Sequence, residues 1–406
     1  METKLDRRDV LAAAPAAVLG SFGDASWQRI VQDYRISSDV LNLENGNWGV
    51  MAQPVQRAYA DHIERINRAG SVYTRCRYWQ DFSAMLNKAS QVLGVDADEI
   101  ALTRNATEAL AALILQYDCL EPGDSVLYAD LDYGAMQRAM EATAQRAGAR
   151  THILSIPEPA TYTKLVDFYV SAMEAQPRTK LILLTHISHR TGLCLPVQEI
   201  SRQARARGID VIVDAAHSWG QIDMTIPALD ADFVGLNCHK WIGAPLGVGI
   251  LYIKRSRLKT IRAHSLATRD EASETRGRVH LGTFNYAAAL TIGDALDYHM
   301  AVGPQRKADR LAALRRRWVD AVRGIERIKV LTPVEDRRLS GAITSIRIDG
   351  LSAQAVAKRL RDEHGIFTVK RSGITAGDAV RITPALYNTM ADMDRCAAAL
   401  SAIAKS

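Results

Sequence analysis

From about residue 98 onward, short apolar runs alternate with longer stretches whose apolar positions recur at helical spacing. "EIALTRNATEALAALILQYDCL" reads as strand, tight turn and helix, and "DSVLYADLDYGAMQRAMEATAQRAG" repeats that order. "KLILLTHIS" is a continuous apolar run, as expected of a strand buried on both faces, and the helix "PVQEISRQARARG" follows it. "DVIVDAAHSWG", "ADFVGLNCHKW" and "GVGILYIKR" are three further strands. Strands alternating with helices predict an α/β fold with a large, mainly parallel sheet covered on both faces. In such sheets ligands bind at the carboxyl ends of the strands, where Asp214, His217 and Lys240 fall.

The texture changes after about residue 284. "NYAAALTIGDALDYHMAVG" and "QRKADRLAALRRRWVDAVRGI" have the length and spacing of long helices. The segments "GAITSIRI", "SAQAVAKRLRDEHG", "IFTVKR", "AVRITPA" and "MADMDRCAAALSAIA" then predict a small α/β layer. The implied organisation is a leader over 1–25, an N-terminal arm over 26–50, a large domain over 51–284, a helical connector over 285–325 and a small C-terminal domain over 326–406.

Composition changes this picture little. The 406 residues are 48% hydrophobic and 24% charged, enough for a substantial core. The net charge of +6 is spread along the chain, and its densest basic run, "RLAALRRRW", reads as a solvated helix face rather than a nucleic-acid surface. Five widely spaced cysteines without a C-x-x-C form neither a disulfide framework nor a zinc site, and no metal is expected. No apolar stretch approaches the roughly 20 residues of a membrane span. The leader carries Arg7-Arg8, a short apolar run and small residues near Ala25. This layout resembles a twin-arginine export signal, implying a periplasmic or secreted protein. An Ala-rich helix in a cytoplasmic protein is the alternative.

The chemistry centres on Lys240, between His239 and Trp241 after a buried strand. Desolvation and nearby cations lower the pKa of a lysine in such a cleft and suit it to form a Schiff base with a carbonyl. If that carbonyl is pyridoxal 5'-phosphate, the phosphate needs a helix start, the pyridine nitrogen a carboxylate, and the ring a flat partner. "RNATEA" with Thr107, Asp214 at the end of "VIVD" and Tyr133 in "DLDYGA" can meet these needs in turn. Each alone is more often a cap, a turn residue or packing. Their joint order and spacing carry the reading.

The set closely resembles the class V aminotransferase family of fold-type I pyridoxal-phosphate enzymes, and most of all its isopenicillin N epimerase-like branch. The matching stretches are "NATEAL", "DYGAM", "THISHRTG", "PVQEI", "VDAAHSWG", "GLNCHKWIGAPLGVGILY", "GTFN" and "VRITPALYNT", spread over roughly residues 42–403. The resemblance implies Lys240 as the Schiff-base lysine, Asp214 as partner of the pyridine nitrogen and Tyr133 stacked on the ring. It implies Ala106 and Thr107 on the phosphate, with Asn237 and His239 nearby, and His217 beside the ring hydroxyl. Thr283 would reach the phosphate of a neighbouring subunit, so a homodimer with shared sites is expected. Arg381 would clamp the carboxylate of an amino-acid-like substrate, a task suited to a guanidinium. Asn45 and Trp48, in the arm "LNLENGNWGV", are further candidates for the substrate pocket.

Two departures from relatives bear on the reaction. The loop "KRSGITAGDAVRI" has no cysteine where cysteine desulfurases carry their nucleophile, which argues against a persulfide route. His189, in "THISHRTG", stands where many relatives have Asn or a small residue, and a histidine there can move protons. The expected activity is chemistry at Cα of an α-amino acid, of aminotransferase, epimerase or lyase type. An O2-using oxidase or monooxygenase-decarboxylase is the first alternative. A non-catalytic binding protein on the same fold is the second.

Overall fold

The computed structural model describes residues 24–158, 160–375 and 377–406. The Arg7-Arg8 leader motif therefore lies outside the described residues. Among the described residues, no helix is long and apolar enough to cross a membrane.

The chain enters through a helix, Asp24–Gln32, and an arm carrying β1 (Leu41–Asn42). Two helices follow, Gln53–Cys76 and Tyr78–Leu93. The large sheet comprises β2 (Ile100–Thr103), β3 (Ser125–Ala129), β4 (Arg150–Leu154), β5 (Thr179–Thr185), β6 (Asp210–Asp214), β7 (Phe233–Asn237) and β8 (Gly249–Ile253). Their order is β2-β8-β7-β6-β5-β3-β4, and only β8 runs antiparallel to its neighbours.

Alternation along the strands explains why they read as unbroken apolar runs. Ile182, Leu184, Val211, Val213, Val234 and Leu236 join one core layer, whereas Leu181, Leu183, Ile212 and Phe233 join the layer behind the sheet. Both faces are dry, so both parities of each strand must be apolar. The edge strand β4 lacks this signature because its residues are only partly covered.

A second, antiparallel sheet joins β9 (Ile328–Val330), β10 (Thr344–Ile348), β12 (Val369–Arg371) and β13 (Ala379–Ile382) in the order β12-β13-β10-β9. Strand β11 (Ile366–Phe367) pairs instead with β1 of the arm, in parallel. Leu41 and Leu43 of the arm are buried in the core of this smaller unit with Ile346, Ile366 and Val380. The arm is thus stitched to the C-terminal region by Leu41 N–H to Gly365 O (2.9 Å), Leu43 N–H to Phe367 O (3.0 Å) and Thr383 N–H to Leu43 O (2.7 Å).

The expected connector divides at Gly303, whose φ of 89° breaks the helical path. Helix Tyr286–Val302 buries Ala288, Ile292 and Leu296 with the large sheet, while Pro304–Val322 buries Leu314, Trp318 and Val319 with the small one. The solvated-face reading of "RLAALRRRW" is corrected here. Arg316 and Arg317 are exposed, but Arg310 and Arg315 lie on the buried side. Their guanidinium groups donate to the Asn388 carbonyl (3.3 Å) and the Gly341 carbonyl (2.5 Å), satisfying backbone oxygens between the two units.

Candidate active site

A cavity of about 340 Å³ opens at the carboxyl ends of β5, β6 and β7. Ten of the predicted site residues line it: Ala106, Thr107, Tyr133, His189, Asp214, His217, Asn237, His239, Lys240 and Arg381. Strand geometry places most of them. Asp214 and Asn237 are the last residues of β6 and β7, and Lys240 lies three residues past β7, in the turn before β8 reverses direction.

Lys240 Nζ is 3.0 Å from His217 Nε2, and His217 Nδ1 accepts the indole N–H of Trp241 at 3.3 Å. Burial is the main reason the lysine pKa falls to about 8. Asp214 and Glu44 draw it up, while Arg381 and Arg371 push it down. A free amine is therefore accessible near neutral pH. Burial also raises the Asp214 carboxyl, against the pull of the Ala216 N–H and of Lys240. Asp214 Oδ1 accepts Ala216 N–H at 2.9 Å, whereas Oδ2 has no donor among the described residues. A buried carboxylate in that condition calls for a cationic or N–H partner from the cavity.

Asn105 caps helix Ala106–Leu115 by accepting Glu108 N–H at 2.9 Å. The Ala106 N–H was expected on phosphate, but it donates to Asn237 Oδ1 at 2.8 Å. The Ala106 N–H is thus engaged within the chain, and Asn237, which also lines the cavity, anchors the helix start to β7. The Thr107 N–H and hydroxyl, by contrast, have no partner among the described residues, at the positive end of the helix. His239 Nδ1 lies 3.1 Å from the Val248 carbonyl, which accepts its N–H and leaves Nε2 to the cavity side. Burial holds its pKa below the usual histidine range, and an anion beside it would favour the protonated ring.

Tyr133 is the N-cap residue of helix Gly134–Ala147 and remains 43% exposed. The His189 ring meets it edge to face, with centroids 5.4 Å apart at 85°. Burial and the cations Arg190, Arg381, Arg371 and Lys240 keep His189 well below the usual histidine pKa, hence neutral.

Arg381 is fully buried. Its Nε donates to Glu44 Oε2 at 3.2 Å, Nη2 donates to Glu44 Oε1, and Nη1 donates to the His189 carbonyl at 2.7 Å. A guanidinium has five N–H groups. Two are left over, one on each Nη, and can serve a second carboxylate. Arg371 Nη2 shares Glu44 Oε1 at 2.9 Å, and Arg371 itself lines the cavity.

Three expected residues lie elsewhere. Asn45 is buried in a network with Tyr387, Asn42 and the Thr383 carbonyl and does not line this cavity. Trp48 is 48% exposed. The arm instead enters through Gly46 and Asn47, because a Cβ at Gly46 would sit 2.8 Å from Arg381 Cζ and one at Gly49 would sit 1.8 Å from the Lys240 carbonyl. Thr283 is exposed, outside its own chain's cavity. Sequence reasoning missed Glu44, Gly46, Asn47, Thr185 and Arg371. The one available signal was the pair of glycines in "ENGNWG".

The chain matches the family model described as Aminotransferase class-V over residues 51–396. It is 27% identical to an isopenicillin N epimerase of Streptomyces clavuligerus, over 93% of this chain and 98% of that protein. It is 26% identical to a probable cysteine desulfurase of Vibrio cholerae, over 85% and 88% of the two chains. The apo structure of a cysteine desulfurase from Thermococcus onnurineus superposes with a TM-score of 0.81 at 19% identity, covering 93% of this chain and 98% of that one. Pyridoxal 5'-phosphate is the family's cofactor. The cavity fits it, with a low-pKa amine, a buried carboxylate oxygen lacking a donor and a helix start with free donors.

Proposed function

The chain belongs to the aminotransferase class-V family of pyridoxal-phosphate enzymes, and from that premise we propose that it cleaves the Cα–H bond of a small α-amino acid and relocates the proton. The observation that carries this reading is the convergence of Lys240, Asp214 and Arg381 on one cavity. When bound, pyridoxal phosphate supplies an aldehyde for the substrate amine and a ring that accepts the electron pair left at Cα.

Lys240 Nζ would hold the cofactor's aldehyde carbon, and Asp214 Oδ2 would keep the ring nitrogen protonated. Thr107, and His239 when protonated, would hold the phosphate. Arg381 would take the substrate carboxylate on its two free N–H groups, with its other edge fixed by Glu44. Lys240, with its lowered pKa, is the base for Cα–H. His189, neutral and against Tyr133, is the second group able to exchange a proton, as epimerisation requires. Thr283, exposed and outside its own cavity, would be available to a second copy of the chain if the protein forms the expected homodimer.

A persulfide route is disfavoured because no cysteine lines the cavity. Cys238, the nearest in sequence to Lys240, is fully buried with its thiol pKa pushed up by burial. The experiment is incubation of the loaded enzyme with a panel of amino acids in D2O, under air and under nitrogen, followed by NMR and mass spectrometry. Deuterium at Cα with inverted or eliminated product under both gases supports the reading. Products formed only under air would transfer it to O2-dependent oxidation. No exchange with any amino acid would overturn it.

A further inference from the structure

His217 lies between two nitrogen donors of different kinds. The Trp241 indole N–H can only donate, so His217 Nδ1, 3.3 Å away, must present its lone pair. A neutral imidazole carries one proton, and with Nδ1 accepting, that proton is on Nε2. Nε2 faces Lys240 Nζ at 3.0 Å. An N–H directed at nitrogen requires a lone pair there, and an ammonium has none.

We infer that Trp241 is a positioning residue: its indole N–H fixes His217 in the Nε2-protonated tautomer, and that tautomer holds the Lys240 amine in its uncharged, nucleophilic form. The opposite assignment fails. If Lys240 were an ammonium donating to Nε2, the proton on Nδ1 would point at the Trp241 N–H. If His217 were doubly protonated, its Nδ1–H would meet the Trp241 N–H donor against donor. Burial, with Lys240 and Arg381 nearby, opposes that charge and keeps the His217 pKa well below the usual range.

The surroundings make the arrangement rigid. His217 and Trp241 are 4% and 6% exposed, and the His217 carbonyl accepts Gln221 Nε2 at 2.6 Å. The other groups acting on Lys240 are Asp214 and Glu44, which favour the ammonium, and Arg381 and Arg371, which disfavour it. Burial lowers the pKa of His189 and His239, also close by, and so disfavours a charge on either. The His217 hydrogen bond thus acts with the arginines against two carboxylates.

The inference rests on the reading of Lys240 as the residue that captures the cofactor's aldehyde, but its test does not need the cofactor. Trp241→Phe keeps a ring in place and removes the donor. His217 is then free to carry its proton on Nδ1 and accept from a Lys240 ammonium, so the lysine pKa should rise. The full chain, freed of cofactor, is labelled with trace acetic anhydride across a pH series, and Lys240 and Lys307 are read by peptide mass spectrometry. Lys307 is the internal reference, because it donates to the Trp241 backbone carbonyl, which Trp241→Phe retains. The expected result is a rise of about one pH unit for Lys240, the scale of one hydrogen bond, with Lys307 unmoved. Capture of added pyridoxal 5'-phosphate at pH 7 should slow about tenfold, and the difference should vanish above about pH 10.

An unchanged Lys240 pKa, or equal shifts in both lysines, overturns the inference. A second measurement avoids substitution altogether. In 15N-histidine spectra of the unmodified chain, His217 should show the Nε2-protonated pattern, and the Nδ1-protonated pattern would refute the inference. Failure of wild-type chain to capture pyridoxal phosphate at any pH would sink the cofactor role of Lys240 instead.

Discussion

Glu44 of the arm grips Arg381 of the small sheet along one edge, with Nε to Oε2 at 3.2 Å, and leaves one N–H on each Nη of this cavity-lining residue unengaged. The contact crosses 337 residues of sequence, and on the proposed reading it decides which N–H groups a substrate carboxylate would meet. Glu44→Gln keeps the shape and removes the charge. KM for the amino acid should rise about tenfold, the scale of one charge-assisted hydrogen bond, with kcat changed less. Glu44→Ala should also destabilise the fold by about 3–5 kcal/mol, since it strands a buried guanidinium. Steady-state kinetics and denaturant titration check both. A lowered kcat at constant KM would mean that Glu44 acts on the chemistry and not on carboxylate binding.

Asp214→Asn should leave the fold intact, because the amide oxygen can still accept the Ala216 N–H. The charge that would keep the ring nitrogen protonated is lost. Deuterium exchange at Cα should slow on the order of 10²-fold or more, the cost of removing one preorganised electrostatic partner from a dry site. Near-normal exchange with normal cofactor content would show that another group meets the ring nitrogen.

His189→Asn tests the second proton carrier. The backbone carbonyl of His189, not its ring, receives Arg381 Nη1, so the substitution leaves the carboxylate clamp in place. Turnover should fall by roughly 10²-fold, the lower range for a lost acid–base group, while cofactor absorbance persists. Loss of cofactor would make His189 structural, and unchanged rate and product ratio would make it a bystander.

Lys307 gives a pH prediction for stability. It is buried against the Trp241 carbonyl, and burial lowers its pKa from 10.5 to about 7. The folded pKa is below the unfolded one, so between about 7 and 10.5 the unfolded chain binds more protons. Stability therefore rises with pH across that window, with a slope of up to about 1.4 kcal/mol per unit from this group. Lys307→Met should flatten the rise and be the more stable protein near pH 7. Equal slopes for the two proteins in urea titrations between pH 7 and 9 would contradict this.

Asp214, Lys240 and Tyr133 were legible because each sits where a strand or turn delivers it to the sheet's carboxyl edge, and strand ends can be read from apolar runs. Arg381 was legible only through resemblance. Glu44 and Arg371 were not legible, because their meeting depends on the parallel pairing of β1 with β11, two-residue strands with no periodicity to read. The partner of the Ala106 N–H was not legible, because the side chain that takes it lies 131 residues away. Arg310 and Arg315 look like solvent residues from composition alone. Only the packing of their helix between two cores makes them donors to buried carbonyls.

The central claim is that Lys240 is the residue joined to the cofactor. Lys307 is the natural rival, being a second buried lysine of lowered pKa close behind the same turn. The loaded enzyme, reduced with borohydride and digested, should yield the pyridoxyl mass on the peptide that contains Lys240, and Lys240→Ala should abolish the label. A label on Lys307 or any other lysine, or none on a protein whose absorbance confirms bound cofactor, would contradict the account.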